Sequence, residues 1–453
     1  MKTLCAGGIA LEAILLLACL PLDPVPDVVR WMTILVGGGA LHLTLLKKLS
    51  PLIPGDDRRS VVVIGLFGLL FRLTLMPLQP SLSDDAWRNI WDGRVAHAGI
   101  DPYRYAPVAD ELIPLRDEEV FSRINHKEYP TIYPPFAQMI SRASHKLERT
   151  AGLSPLSAWK ATLAAIEWGG AMLLACGLLR AGRASGFLVY AWSPLLVTEF
   201  YSSAHIDAAG VGMLAAAIGL FLLRKDFLAG ACFVASVLTK LISLPLAAAA
   251  LSRRTSGRMI LGALLAAVLL LSPYARSAPR MLEAAARYEG NWEFNGVLHR
   301  LLGVDYWISV PRYLLARGEE QSLGKGNAWE KGAGRLIASC ALLALGLAAG
   351  AGEASLKSAA VWGLGLFLLV QPTIHPWYVT WLLPLLAVKP LAGFLLWTVA
   401  AGASYSVLFS HRAGAWQENA GLQFVVMLPV LMVVAREFFR VWRGREVGVV
   451  SGI

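Results

Sequence analysis

The sequence is poor in charged residues, and this scarcity identifies the protein's broad class. Of its 453 residues, only 16% are Asp, Glu, Lys or Arg, whereas 56% are hydrophobic. Soluble domains carry about 25% charged residues, which argues against a soluble globular fold. The apolar residues recur in blocks of about 17–25, the length at which a helix crosses roughly 30 Å of hydrocarbon. The sequence therefore predicts an all-α polytopic membrane protein.

Two kinds of binding pattern are also missing from the sequence. The five cysteines lie in apolar stretches, without a CxxC pair or the histidine spacing of a zinc site. The net charge of +10 comes from basic residues in short loops. It does not come from a basic patch interleaved with aromatic residues, the pattern that contacts bases. We therefore expect buried, inert cysteines rather than a zinc site, no nucleic acid as a partner, and membrane lipids as the surroundings.

A long polar linker and an internal repeat are absent as well, so we expect a single domain over residues 1–453. The hydropathy pattern predicts roughly 12–14 membrane helices. The candidate spans are 5–21, 31–46, 60–77, 159–179, 184–200, 205–223, 226–239, 240–251, 257–274, 333–350, 358–371, 376–388, 391–409 and 421–435. The stretch 226–251 contains Lys240 and Pro245, which favour a broken or re-entrant element lining a polar cavity.

Basic residues in the short loops predict the orientation of the chain. If the spans alternate, several such loops fall on one side, and an excess of Lys and Arg marks the cytoplasmic side. These residues are Lys47, Lys48, Arg58, Arg59, Arg180, Arg183, Arg224, Lys225, Arg436, Arg440, Arg443 and Arg445. We therefore predict an inner-membrane protein whose long loops, 78–158 and 275–332, face the extracytoplasmic side. Every unusual polar segment is predicted to face that side as well.

The first long loop begins with an acidic pair inside the stretch "SLSDDAWRNIWDGRVAHAG". Ser83 suits a helix N-cap, which places Asp84 and Asp85 in the first turn. Apolar residues then recur at helical spacing, while Arg88 and Asp92 lie on the opposite face, so an amphipathic interfacial helix is predicted. One interpretation is that the acids are an ordinary feature of the first turn of an anchoring helix. Alternatively, two adjacent carboxylates can supply a general base and its partner.

A rigid segment follows the amphipathic helix. The stretch "INHKEYPTIYPPFAQ" (124–138) is dense in Pro and Tyr and contains Tyr133. Proline fixes the backbone at three of its positions. Such a segment suits contact with carbohydrate or a lipid headgroup, or it is simply a stiff loop.

These two stretches resemble the first outer loop of the GT-C glycosyltransferases. They are most similar to bacterial polyprenol-phosphate-mannose-dependent mannosyltransferases, and more distantly to the catalytic subunit of GPI mannosyltransferase I. Four later segments lie in the order that this group shows: "WSPLLVTEFYSSAHIDAAG", "LTKLISLPL", "NWEFNGVL" and "HPWYVTWLLP". The resemblance covers most of residues 80–385 and implies a GT-C fold with amphipathic helices in the large first loop.

The resemblance also implies a reaction. A hexose, most often mannose, moves from a polyprenyl-phosphate donor to a hydroxyl of a glycan or glycolipid acceptor, with inversion and without a cofactor or metal. Asp84 aligns with the first acid of the family's DxD-like motif and would be the base. The second acid of that motif falls on Ala86, so the roles of Asp84 and Asp85 remain open.

Further candidates follow from the chemistry of this reaction. A departing lipid phosphate needs positive charge, so we predict donor-phosphate contacts from Lys240, Arg287 and Arg300. Arg276 and Arg280 lie in the same loop as Arg287 and are further candidates. The alternative for Lys240 is a salt-bridged or snorkelling lysine. Predicted contacts to sugar or acceptor are Arg88, Asp92, Tyr133, His205, Asp207 and His375. The alternative for His205 and Asp207 is a capped helix end with a hydrogen-bonded histidine. Glu167 is an intramembrane acid that is either functional or a hydrogen-bonded link between helices.

Two other function classes fit a polytopic membrane protein. A transporter or flippase of a lipid-linked sugar places its polar groups near the bilayer midplane, between two related halves. Here the polar segments collect on one side, and no halves are detected. A structural subunit would not need the acidic pair. Substitution of Asp84 and Asp85 separates these classes, because only an enzyme loses turnover.

Overall fold

A computed structural model describes residues 1–20, 27–247, 256–291, 293–302 and 356–443. Within these ranges the secondary structure is helical, apart from isolated bridges that join Phe294 and Asn295 to Thr373. Six described helices are long and apolar enough to cross a membrane, and four shorter ones are equally apolar. The all-α polytopic prediction is therefore confirmed. The predicted span 333–350 lies outside the described residues.

The first half of the chain contains most of the elements that build the site. Short 3₁₀ or π turns extend several of its helices, at Leu16–Cys19, Thr33–Gly37 and Thr198–Ser202. The helices are α1 (Lys2–Leu15), α2 (Asp27–Met32), α3 (Gly38–Leu49), α4 (Arg58–Leu75), α5 (Asp85–His97), α6 (Pro135–Ala151), α7 (Pro155–Arg180), α8 (Gly186–Ala191), α9 (Pro194–Val197), α10 (Asp207–Leu222) and α11 (Asp226–Val237).

The second half of the chain contributes aromatic residues to the site described below. Its helices are α12 (Gly257–Leu271), α13 (Ala278–Asn291), α14 (Val297–Leu301), α15 (Leu356–Leu369), α16 (Pro376–Val379), α17 (Leu383–Val388), α18 (Ala392–Ala400), α19 (Val407–Arg412) and α20 (Ala420–Trp442). Phe294 N–H donates to the Pro372 carbonyl at 3.0 Å, and Ile374 N–H donates to the Phe294 carbonyl at 2.7 Å. These bonds hold the segment around Phe294 beside the segment that precedes α16.

Helices α7 and α10 pack backbone to backbone through glycine. A Cβ atom on Gly170 would lie only 2.0 Å from the Gly212 carbonyl oxygen, so no larger residue fits at this crossing. Small residues of this kind let membrane helices approach closely. The close contact fixes the position of Asp207, the first residue of α10, relative to α7.

Helix α4 has the length of a span but carries Arg72, which is buried. Arg72 forms two hydrogen bonds to the Glu167 carboxylate on α7, at 2.9 and 2.8 Å. The Tyr201 hydroxyl donates to the same carboxylate at 2.5 Å. Glu167 is therefore a hydrogen-bonded link between helices, one of the two roles that its sequence position allowed.

The chain is broken near Lys240, as its sequence predicts. Helix α11 ends at Val237, Lys240 adopts an extended backbone, and a 3₁₀ turn follows at Leu241–Ser243. The Leu238 carbonyl accepts a hydrogen bond from Phe136 N–H at the start of α6. The break therefore contacts the first long loop, and it brings Lys240 to the end of the bundle where α5 begins.

Helix α5 is buried on both its apolar and its polar face. Its apolar residues are buried, but so are Arg88, Asn89 and Asp92 on the polar face. Arg88 donates to the Tyr129 carbonyl at 3.0 Å, so the rigid segment 124–138 covers this face. The polar face of α5 therefore contacts protein, because the proline-rich segment folds back over it.

Candidate active site at the start of helix α5

The acidic pair lies at the N-terminus of α5. Asn125 Nδ2 donates to Asp84 Oδ1 and to Asp85 Oδ1, each at 2.8 Å. Asp84 is exposed, whereas the Asp85 side chain is 28% exposed. Ser83 does not cap the helix as predicted, since Asp84 occupies the cap position and Ser83 Oγ accepts from Asp85 N–H at 3.2 Å. One amide thus holds both carboxylates together at the surface of the cluster described below.

Asp85 is chemically distinct from an ordinary surface aspartate. Partial burial, followed by the neighbouring charge of Asp84, raises the pKa of the Asp85 carboxyl to about 6. Lys240 acts in the opposite direction through its positive charge. A carboxylate with a pKa near the working pH is a more effective proton acceptor than one that is fully ionised far below it.

The turn before α10 brings an imidazole between two carboxylates. His205 Nδ1 lies 3.7 Å from Asp85 Oδ2, and His205 Nε2 lies 3.4 Å from Glu199 Oε2. The turn contains Ala204 at φ +58°, a left-handed conformation that is uncommon for a residue with a Cβ. Trp159 Nε1 donates to the Ala204 carbonyl at 2.8 Å and ties this turn to α7.

A stack of four rings continues from His205. The ring centroids of His205 and Trp377 are 3.8 Å apart, and those of Trp377 and His375 are 4.3 Å apart. Phe294 stacks on the far side of His375 at 4.9 Å. Burial, followed by the charge of Lys240, lowers the pKa of His375 to about 3, so this imidazole is neutral. The two predicted histidines are thus joined through one tryptophan.

Lys240 and Asp207 form an ion pair in the same region. Lys240 Nζ lies 2.9 Å from Asp207 Oδ2 and 4.2 Å from the centroid of the Tyr378 ring. Trp381 Nε1 donates to Asp207 Oδ1 at 2.6 Å. Asp207 is 1% exposed, whereas the Lys240 side chain remains 17% exposed. The salt-bridged alternative for Lys240 is therefore observed, and its ammonium still reaches the surface of the cluster.

Six side chains thus meet at one end of the bundle, and we name them the acidic cluster. It consists of Asp84, Asp85, Glu199 and Asp207, together with His205 and Lys240. Four carboxyl groups face one ammonium and one imidazole, so the cluster has an excess of acid. Such an arrangement can accept protons and can bind a partner that brings positive or polar groups.

The other predicted contacts lie away from this cluster. Arg88 pairs with Asp92 at 3.0 Å beneath the segment 124–138. Tyr133 is buried, and its carbonyl accepts from the Tyr103 hydroxyl at 2.7 Å. These three predicted residues therefore support the packing of the first long loop in this structure.

The predicted arginines of the second long loop are also separate. Arg300 is exposed and contacts Gln423 and Glu418. Arg287 lies on α13, but its side chain is outside the described part of the chain. Among the described residues, no group of three or more His, Cys, Asp or Glu side chains is arranged to hold a metal ion.

Comparison with known families decides the protein's class. The profile of the family described as Alpha-(1->6)-mannopyranosyltransferase, N-terminal domain, matches residues 12–253, more than half of the chain. The chain belongs to this family. It is a membrane glycosyltransferase of the mannosyltransferase type, which confirms the GT-C resemblance of the first long loop. No curated protein matches the chain at a significant level.

The matched region of this mannosyltransferase includes all six members of the acidic cluster. The ring stack draws on residues beyond it, since Phe294, His375 and Trp377 follow residue 253. The two parts of the chain therefore meet at the candidate site.

Sequence reasoning missed several members of the site. Glu199 is fully buried, and the Tyr405 hydroxyl donates to its two oxygens at 2.8 and 2.9 Å. An acid inside the apolar run "LLVTEFY" is itself a signal, because intramembrane acids are rare and functional by default. Asn125 and Tyr405 carry no comparable signal, since their contacts arise only when distant segments meet.

Proposed function

We propose that the mannosyltransferase moves a mannosyl residue from a polyprenyl-phosphate donor to an acceptor hydroxyl, with inversion at the anomeric carbon. The family description supports a 6-hydroxyl of a mannose-containing acceptor and an α-linked product. The observation that carries the proposal is the acidic pair held by Asn125, with the ammonium of Lys240 in the same cluster. A carboxylate is available for the hydroxyl proton, and a cation is available for the leaving phosphate.

We assign the general base to Asp85. The family motif aligns Asp84 with the base, but Asp84 is exposed and has no contact with His205 among those described. Asp85 faces His205, and its pKa of about 6 suits a proton acceptor at neutral pH. Asp84 then acts through its charge, which contributes to raising the pKa of Asp85.

We assign the donor phosphate to Lys240. Its ammonium is partly exposed, and a phosphate could approach it while Asp207 holds the side chain in place. The ammonium also lies 4.2 Å from the centroid of the Tyr378 ring and makes a cation–π contact with it. Arg287 and Arg300 remain secondary candidates, the latter already engaged with Glu418.

The site is proposed to face the extracytoplasmic side of the inner membrane. Basic residues in short loops support this orientation, because Lys and Arg concentrate in cytoplasmic loops. In that orientation the donor is made inside and flipped before use. The polyprenyl chain would lie in the membrane, beside the apolar helices that surround the cluster.

Transfer by the purified protein tests this proposal. Protein in nanodiscs is mixed with radiolabelled polyprenyl-phosphate mannose and an α-mannan oligosaccharide or glycolipid acceptor. We expect a longer product whose new linkage is α by NMR, and loss of transfer in Asp85→Asn. Asp110→Asn is the matched control, because Asp110 is an exposed acid on the same long loop.

Two outcomes would contradict the proposal. If the protein transferred mannose from a nucleotide sugar but not from the lipid donor, the proposed polyprenyl-phosphate donor would be wrong. Donor flipping by the protein in liposomes, without transfer to any acceptor, would favour the transporter alternative instead.

A further inference from the structure

A cavity of about 500 Å³ lies in the first long loop, beside the acidic pair. Sites for small ligands commonly enclose about 300–1,000 Å³. Its lining is mainly polar and includes Gln79, Glu119, Arg123 and Ser154, with Trp87 at one wall. We propose that this loop cavity binds the glycan part of the acceptor, namely the sugar units next to the one that receives mannose. The inference deepens the proposed function, since it gives the acceptor a place in the same site.

Three parts of the chain meet around the loop cavity. Gln79 follows α4, Trp87 lies in the first turns of α5, and Ser154 is the N-cap residue of α7. Glu119 and Arg123 come from the segment that contains the short 3₁₀ turn Phe121–Arg123. The four polar side chains of the lining are exposed. The cavity therefore opens to solvent where two membrane helices, α4 and α7, meet the loop.

The loop cavity is joined to the acidic pair at two points. Trp87 N–H donates to the Asp84 carbonyl at 3.1 Å, so the two residues lie within one helical turn, about 4.5 Å along the axis of α5. Asn125 donates to both carboxylates and follows Arg123 closely in the chain. A glycan that fills the cavity therefore places its next sugar unit beside Asp84 and Asp85.

The charges of the lining favour a neutral, polar ligand. Arg123 and Glu119 contribute one charge of each sign, and neither forms an ion pair with another residue that the structure describes. An anionic group would be attracted by Arg123 and repelled by Glu119. A sugar hydroxyl can donate to a carboxylate and accept from a guanidinium, so a glycan satisfies both kinds of group.

Arg123 is already held in place before a ligand binds. Its guanidinium lies 4.5 Å from the centroid of the Trp87 indole, and Trp87 is only 5% exposed. Tryptophan is the ring that attracts a cation most strongly. A guanidinium presents five N–H donors in a planar fork. A side chain that is held in this way loses less freedom on binding, which favours affinity.

Glycan binding without the donor tests this proposal. Protein in nanodiscs is titrated with α-(1→6)-linked mannose oligosaccharides of increasing length, and binding is followed by saturation-transfer NMR. We expect affinity to rise with length. Arg123→Ala should weaken binding of the longer oligosaccharides about tenfold, and Glu119→Gln should weaken it by a smaller factor. In transfer assays the same variants should raise the acceptor KM and leave kcat unchanged.

Matched controls lie on the same loop but outside the lining. Arg104 is another exposed arginine over an aromatic ring, with its guanidinium 4.9 Å from the centroid of Tyr105. Glu118 is an exposed acid adjacent to Glu119. Arg104→Ala and Glu118→Gln should keep the wild-type affinity and transfer rate. Asp85→Asn should bind the glycan as wild type does while losing transfer, so the base and the cavity are tested separately.

The outcomes separate the loop cavity from the proposed function. Wild-type affinity in both Arg123→Ala and Glu119→Gln overturns the cavity and leaves the reaction intact. A folded wild type that transfers mannose but binds no oligosaccharide overturns it too. Binding of inorganic phosphate that depends on Arg123, without glycan binding, would replace the glycan site by an anion site. Arg123-dependent glycan binding without any transfer supports the cavity and contradicts the proposed function instead.

Discussion

Two of the networks of buried charge in the described part of this mannosyltransferase are built differently. The inner network, formed by Arg72, Glu167 and Tyr201, matches one guanidinium to one carboxylate, with side chains 1% and 0% exposed. The acidic cluster has more acids than cations, is open at Asp84, and leaves His205 Nε2 without a hydrogen bond to any residue that the structure describes.

The difference separates a structural role from a chemical one. Arg72 also donates to the carbonyls of Gly68 and Ala191, so four of its five guanidinium N–H groups are bonded and the side chain joins three helices. A pair that is buried and bonded in this way offers no open surface to a substrate. An unbalanced cluster is costly to fold, and that cost is typical of sites that move protons or bind charged ligands.

The largest expected effect concerns turnover. Asp85→Asn should lower kcat about 10³-fold, because general bases contribute between 10² and 10⁴. Glu167→Gln is the matched carboxyl-to-amide change in the inner network. Its kcat per folded molecule should stay within about threefold of the wild-type value. Transfer rates normalised to folded protein, measured by gel filtration, provide the comparison. If both variants lost kcat equally, the assignment of a chemical role to one network and a structural role to the other would be wrong.

The next effect concerns stability. Removing one partner of a buried pair costs about 3–5 kcal/mol, whereas replacing both by apolar residues is often nearly neutral. We therefore expect Glu167→Leu to be strongly destabilised and the double variant Arg72→Met/Glu167→Leu to recover most of the loss. Unfolding in mixed micelles with increasing dodecyl sulfate measures both. A double variant no better than the single one would show that the pair is needed as such.

The acidic cluster should show the opposite response. The pKa of Asp85 is raised from 3.8 to about 6, so the folded state binds more protons than the unfolded chain between these values. Stability therefore falls as pH rises from about 4 to 6, and the penalty is fully present above 6. Asp85→Asn should gain about 1–2 kcal/mol at pH 7 and nothing at pH 4. If Asp85→Asn were less stable than wild type at pH 7, the raised pKa of Asp85 would be contradicted.

The smallest effect is a shift in the pH profile. Wild-type transfer should decline below about pH 6 as Asp85 takes up a proton. Asp84→Asn removes a negative charge that raises the pKa of Asp85, so the decline should move to lower pH, by about half a unit. The ratio of kcat to KM against pH measures it, with Asp110→Asn as the control. A shift to higher pH would contradict the role given to Asp84.

The sequence allowed part of this site to be predicted. Acidic, histidine and lysine residues stood out because polar groups are rare in apolar surroundings, and five of the six cluster members were predicted from that contrast. Arg88, Asp92 and Tyr133 stood out by the same contrast, yet they lie in the packing of the first loop. Local pattern marks a residue as unusual, but it does not say what the residue contacts.

By itself the sequence determined the membrane class, the helical fold, the break near Lys240 and the acidic start of α5. Each of these depends on residues close together in the chain, through hydropathy, helical periodicity and proline. Only the tertiary structure decided that Asp85 meets His205, that His205 meets Glu199, and that Glu167 belongs to a closed pair. These contacts join α4, α5, α7 and the turns after α9 and α11, and their partners are set by close helix packing, which no local pattern encodes.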